Sequence, residues 1–135
     1  MKLKKNLNKI ISVTALVAVL GSGAATAYAG TSSSHFTKEI PRAGYDTTGA
    51  QTKADSSRDG RVEIEYIQYN REIGAILAKS GGDNGTGAVE EYDIAEGEIR
   101  YLKNEITGGS QVRLKIWGNP FWTNGTEVQG WWKSN

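Results

Sequence analysis

Residues 111–135 read QVRLKIWGNPFWTNGTEVQGWWKSN and hold all four tryptophans of the chain. Val112, Leu114 and Ile116 alternate with Arg113, Lys115 and Trp117, the period of two that sends successive side chains to opposite faces of a β-strand. After the break at Gly118-Asn119-Pro120 and the turn dipeptide Asn124-Gly125, the alternation resumes. Val128, Gly130 and Trp132 share one face, and Glu127, Gln129 and Trp131 the other. The pattern predicts a β-hairpin closing a small β domain. Kept in parity through the turn, Trp132 belongs to the core, while Arg113, Trp117 and Trp131 point outward. One such register sets Arg113 opposite Trp131, Lys115 opposite Gln129 and Trp117 opposite Glu127. Trp117 and Trp131 would then lie about 13 Å apart on one exposed face, at a rise of about 3.4 Å per residue.

Upstream, the apolar runs are short and separated by turn signals. Residues 35–40 predict a strand with Phe36 and Ile40 on one side, ended or placed at a sheet edge by Pro41. Residues 42–60 are polar and read as a loop or an exposed edge strand, with Asp59-Gly60 as a hairpin-turn pair. From 61 onward Val62, Ile64 and Tyr66 alternate with Arg61, Glu63 and Glu65. A helix competes over 61–79, because Val62, Tyr66, Tyr69, Ile73 and Ile76 also fit helical spacing. The β-branched and aromatic content, with Gly74 in the middle, favours two strands over 61–69 and 72–79.

The run SGGDNGTG at 80–87 is a loop. Residues 89–94 predict a strand with Tyr92 and Ile94 inward, and residues 98–106 another with Ile99 and Tyr101 on one side. In 98–106 too a helical spacing exists, through Ile99, Leu102 and Ile106. Short strands at such intervals predict an all-β fold, a small antiparallel β-sandwich or partly open barrel.

The first 29 residues read as a secretory signal. Lys2, Lys4, Lys5 and Lys9 precede an apolar run from Ile10 to Leu20, and Ala27 and Ala29 suit cleavage after Ala29. The expectation is one secreted domain over 30–135, extracellular and without a transmembrane anchor. Without the signal, 12 basic side chains face 15 acidic ones, so the chain's charge of +1 becomes −3. A mildly acidic domain offers no footprint for nucleic acid. With no cysteine, the core must hold the fold without disulfides.

Chemistry is sparse in this sequence. A Ser/His/Asp arrangement would need the lone histidine, His35, beside Ser32, Ser33 and Ser34 in a segment with little to fix its geometry. No set of His and Cys residues has zinc-ligand spacing. Glu63, Glu65, Glu90, Glu91, Asp93, Glu96 and Glu98 alternate with apolar residues, so they read as solvated strand faces rather than a glycosidase pair. Asp83-Asn84-Gly85 with Asp93 has calcium-like oxygen chemistry but matches no defined calcium loop. The expectation is a non-catalytic protein with no metal and no cofactor.

Binding is the remaining chemistry. Trp117 and Trp131 on the outer face, Trp122 in the loop and Arg113 beside them are the candidate ligand contacts, for a cell-envelope polysaccharide or a protein partner. The competing reading is local: Trp131 stacks under Arg113 and Trp117 packs on the loop, for stability alone.

Phe36-x-x-x-Ile40, Gly97-x-x-x-Tyr101-Leu102 and the ending Val112-x-Leu114-x-Ile116 … Val128-x-Gly130-x-Trp132-x-Ser134-Asn135 resemble a family of small exported Gram-positive bacterial proteins. That family is known only as a domain of unknown function, so the resemblance implies export and transfers no catalytic residue. The size, the export signal and the aromatic end also admit a second function, a bacteriocin-like secreted toxin. Growth inhibition of related cells by the mature chain discriminates the two.

Overall fold

The computed structural model describes residues 32–135; the expected signal segment and its cleavage site lie outside the described residues. Nine strands follow in order among them: β1 (Ser34–Ile40), β2 (Tyr45–Thr47), β3 (Gln51–Thr52), β4 (Gly60–Ile67), β5 (Ile73–Lys79), β6 (Glu91–Ile94), β7 (Ile99–Leu102), β8 (Gln111–Trp117) and β9 (Thr126–Lys133). They form two antiparallel sheets. One has the order β1-β9-β4-β7. The other runs β2-β8-β5-β6, with β3 also pairing to β8. The fold is the expected all-β sandwich rather than a closed barrel.

The predicted C-terminal hairpin is not formed. β8 and β9 lie in different sheets, and the eight residues 118–125 carry the chain from one to the other. The reason is the core. Two apolar strand faces, Val112-Leu114-Ile116 and Val128-Trp132, must be covered, and placing them in opposing layers lets them enter the same interior. Each strand then finds its hydrogen-bond partners elsewhere. β8 pairs with β5, setting Trp117 beside Gly74 and Arg113 beside Ala78. β9 lies between β1 and β4, setting Trp131 between His35 and Glu63. The proposed Arg113–Trp131, Lys115–Gln129 and Trp117–Glu127 pairs are therefore absent. Face parity, a property of each strand alone, holds: Val112, Leu114, Ile116, Val128 and Trp132 are all buried.

Residues 61–79 form two strands and not a helix, and these also lie in different sheets. A 3-10 turn, Gln68–Asn70, joins them, with Tyr69 and Asn70 both in the left-handed region (φ 63° and 52°). β1 is an edge strand with Phe36 and Ile40 inward, as its spacing predicted. Asp59-Gly60 makes no hairpin, since β3 and β4 belong to different sheets; Gly60 opens β4 opposite Leu102.

Two inward assignments are overturned by β-bulges. In β4 the register passes from Ile64↔Gly130 to Tyr66↔Gln129, so Glu65 is an extra residue. Tyr66 turns out to solvent and Ile67 takes its place in the core. In β6 the register passes from Ile73↔Ile94 to Ala75↔Glu91, with Asp93 at φ 55°. Ile94 stays inside and Tyr92 swings out, 55% exposed.

A buried polar knot closes one end of the sandwich. The Lys53 ammonium, with no exposed surface, donates to the backbone oxygens of Arg58 (2.5 Å), Ser134 (2.9 Å) and Asn135 (2.9 Å). Burial lowers its pKa, against the opposing pull of Asp55 and Asp59. Gln51 donates to the Trp132 carbonyl (3.2 Å) and accepts from the Ser134 amide (2.8 Å). These bonds satisfy main-chain groups at and just past the end of β9 and fix that end in place.

Candidate functional site

The outer face of the β2-β8-β5-β6 sheet carries a row of aromatic side chains. Trp117, the last residue of β8, has Tyr45 of β2 as its register partner on one side and Gly74 of β5 on the other. A glycine at that point decides the indole's pose. A Cβ on residue 74 would lie 2.3 Å from Trp117 Cε2, so only glycine lets the ring lie down on the sheet. Ile76, the next outward residue of β5, is only 1% exposed, so this outer face has a packed side-chain layer of its own. The nearly unbroken apolar run of β5 reflects that double burial.

The β6 bulge supplies the next member. Tyr92 meets Trp117 edge-to-face, with ring centroids 5.8 Å apart and planes at 77°. Arg100 of β7, in the other sheet, donates to the carbonyls of Tyr92 (3.1 Å) and Asp93 (3.2 Å) and pairs with Glu98 and Glu91. It thereby ties the bulge across the sandwich edge. The Glu98 contact, with further help from Glu91, holds this guanidinium's pKa above its ordinary value.

Trp122 comes from the loop between β8 and β9. Its ring sits against Gly118, where a Cβ would lie 2.0 Å from Cζ3. Asn119 shapes the turn: its carbonyl accepts from the Trp122 amide (3.0 Å) and its Oδ1 from the Phe121 amide (2.9 Å). The Arg71 guanidinium lies 4.5 Å from the Trp122 ring centre and 4.6 Å from that of Tyr69. It also donates to Asn124 Oδ1 (2.8 Å) and Thr126 Oγ1 (2.6 Å). Arg71 is thus a staple for the loop.

Between these walls runs an open groove of about 640 Å³, lined by Trp117, Trp122, Tyr92, Glu72, Asp93 and Asn119 among others. The carboxylates of Glu72 and Asp93 engage no hydrogen bond or ion pair among the described residues, so they stand ready to accept from a ligand. Across Trp117 lies a smaller hollow of about 300 Å³, lined by Tyr45, Lys115, Asn84, Glu90 and Gly44.

Of the four residues singled out from sequence, the structure brings together two, Trp117 and Trp122. Trp131 lies on the outer face of the opposite sheet, so the expected Trp117–Trp131 surface does not exist. There its Nε1 donates to Glu65 Oε1 (2.7 Å) and its ring meets His35 edge-on at 5.0 Å. His35 in turn contacts Glu65 Oε2 at 3.2 Å. Arg113 shares the sheet of Trp117, but its guanidinium donates to the carbonyls of Ser80 (2.9 Å) and Thr48 (2.7 Å), holding two loops in place. The stack of Trp131 under Arg113 is likewise absent. Tyr92, Asp93, Glu72 and Tyr45 were missed. Plain alternation hid Tyr92, and the αL tolerance of Asp93 was the single cue to the bulge.

Among the described residues no three His, Cys, Asp or Glu side chains are grouped to hold a metal ion, and no helix is long and apolar enough to cross a membrane. No known family model matches the chain, and no curated protein matches it in sequence. Its functional reading rests on the groove.

Proposed function

We propose that this chain is an extracellular, non-catalytic binding protein whose ligand is a cell-envelope glycan held in the groove of Trp117, Tyr92 and Trp122. The observation that carries the reading is the combination in one groove: aromatic side chains beside the carboxylates of Glu72 and Asp93, which have no partner among the described residues, and the amide of Asn119. A sugar ring has apolar C–H faces and a rim of hydroxyl donors. Aromatic rings take the first, and carboxylate and amide oxygens accept from the second. The rings are also held before any ligand arrives, by Gly74, Gly118, Arg71 and Arg100, which lowers the entropy lost on binding.

Titrating the protein with solubilised cell-wall polysaccharide, with tryptophan fluorescence as readout, tests this. Saturable quenching is expected. Trp117→Ala should weaken binding about tenfold or more, the scale of one well-packed aromatic anchor. Trp131→Ala should leave the affinity within about twofold, since that ring belongs to the other sheet. Equal losses in the two variants would contradict the assignment.

A further inference from the structure

We infer that the ligand is an extended glycan chain gripped at two subsites, one on each side of Trp117, the second formed by Tyr45, Lys115, Asn84 and Glu90. This rests on the glycan reading above and deepens it. Trp117 lines both the larger groove and the smaller hollow, so the two adjoin at a single indole. Tyr45, Trp117 and Gly74 stand side by side in register on β2, β8 and β5, and Tyr92 follows on β6. At about 4.8 Å between strands, these four strands span about 14 Å, more than one sugar ring occupies. A ligand running across the strands would therefore meet an aromatic side chain in each hollow with Trp117 between them.

The two subsites differ in polarity, and that difference orients the chain. The larger groove presents the acceptors Glu72 and Asp93, while the Arg71 guanidinium in its wall is already engaged by Asn124, Thr126 and the rings of Tyr69 and Trp122. The smaller hollow presents a donor, the Lys115 ammonium, which sits 4.2 Å from the Tyr45 ring centre and makes no ion pair among the described residues. Beside it Glu90 accepts from the Tyr92 hydroxyl, which links the walls of the two hollows, and Asn84 offers both an acceptor and donors. A cation over an aromatic face favours an oxygen-bearing substituent, such as an acyl carbonyl on a sugar amine, over a second apolar face. Tyr45 is half exposed on a three-residue strand at the sheet edge, so removing its ring leaves the core intact.

The test is a chain-length series. Affinities are measured by calorimetry for β-1,4-linked glucose and N-acetylglucosamine oligomers of increasing length, for the wild type and for Tyr45→Ala, with thermal melting to verify the fold. The expected result is an affinity that climbs at least about tenfold from the shortest oligomer to a plateau. Tyr45→Ala should erase that climb and leave the shortest oligomer's affinity within about twofold, and Lys115→Gln should reduce the climb for the acylated series more than for the glucose series. Binding that does not depend on length, or a Tyr45→Ala series like the wild type, would overturn the second subsite and leave the larger groove standing. No binding of either series or of solubilised wall polysaccharide would overturn the glycan reading itself.

Discussion

At the scale of single residues, the site depends on what is missing from position 74 as much as on what is present at 117. Gly74 leaves the backbone bare where the indole rests, and a methyl group there would lie 2.3 Å from the ring. Gly74→Ala should lift Trp117 off the sheet. The expected loss is about 1–3 kcal/mol in stability, the range for overpacking a filled site, seen as a lower melting temperature and a red-shifted tryptophan emission. An unchanged emission maximum would show that the indole is not seated on this glycine. Which tryptophan enters the core was legible in the sequence, because parity alone put Trp132 with Val128. That Gly74 receives Trp117 was not legible, because the two residues are 43 positions apart and only strand pairing joins them.

At the scale of elements, local pattern was a good guide to strand existence and faces and a poor one to partners. The alternation of β8 and β9 is correct residue by residue, yet the strands take neighbours in opposite sheets. Proximity in sequence favours a hairpin, and burial of two apolar faces in one core favours separation; burial won, with eight residues of loop to cross the gap. Bulges were the other blind spot. One inserted residue, Glu65 or Asp93, reverses the face of the aromatic beside it, and the apolar pattern hides the insertion.

The β6 bulge is held from across the sandwich edge. Arg100 reaches from β7 to the carbonyls on either side of the Tyr92–Asp93 peptide. Arg100→Ala should cost about 1 kcal/mol in stability, as expected for partly exposed hydrogen bonds. It should nevertheless weaken glycan binding several-fold by loosening the Tyr92 wall, so melting and titration are to be read together. A variant that binds like the wild type would remove Arg100 from the positioning of the groove.

At the scale of the whole molecule, the sandwich gives its two outer faces different characters. One bears Trp131 with its indole N–H bonded to Glu65 and its ring edge on His35. The other bears the aromatic row and the groove. The sequence alone merged these faces, because a hairpin would have put Trp117 and Trp131 on one surface. The sandwich divides them and recruits Trp122 and Tyr92 in place of Trp131. The most direct test of that division is to follow the four indole N–H signals in a 15N-labelled sample while wall polysaccharide fragments are added. The Trp117 and Trp122 signals are expected to shift with saturation while those of Trp131 and Trp132 stay in place. Saturable movement of the Trp131 signal with Trp117 and Trp122 unmoved would contradict that division.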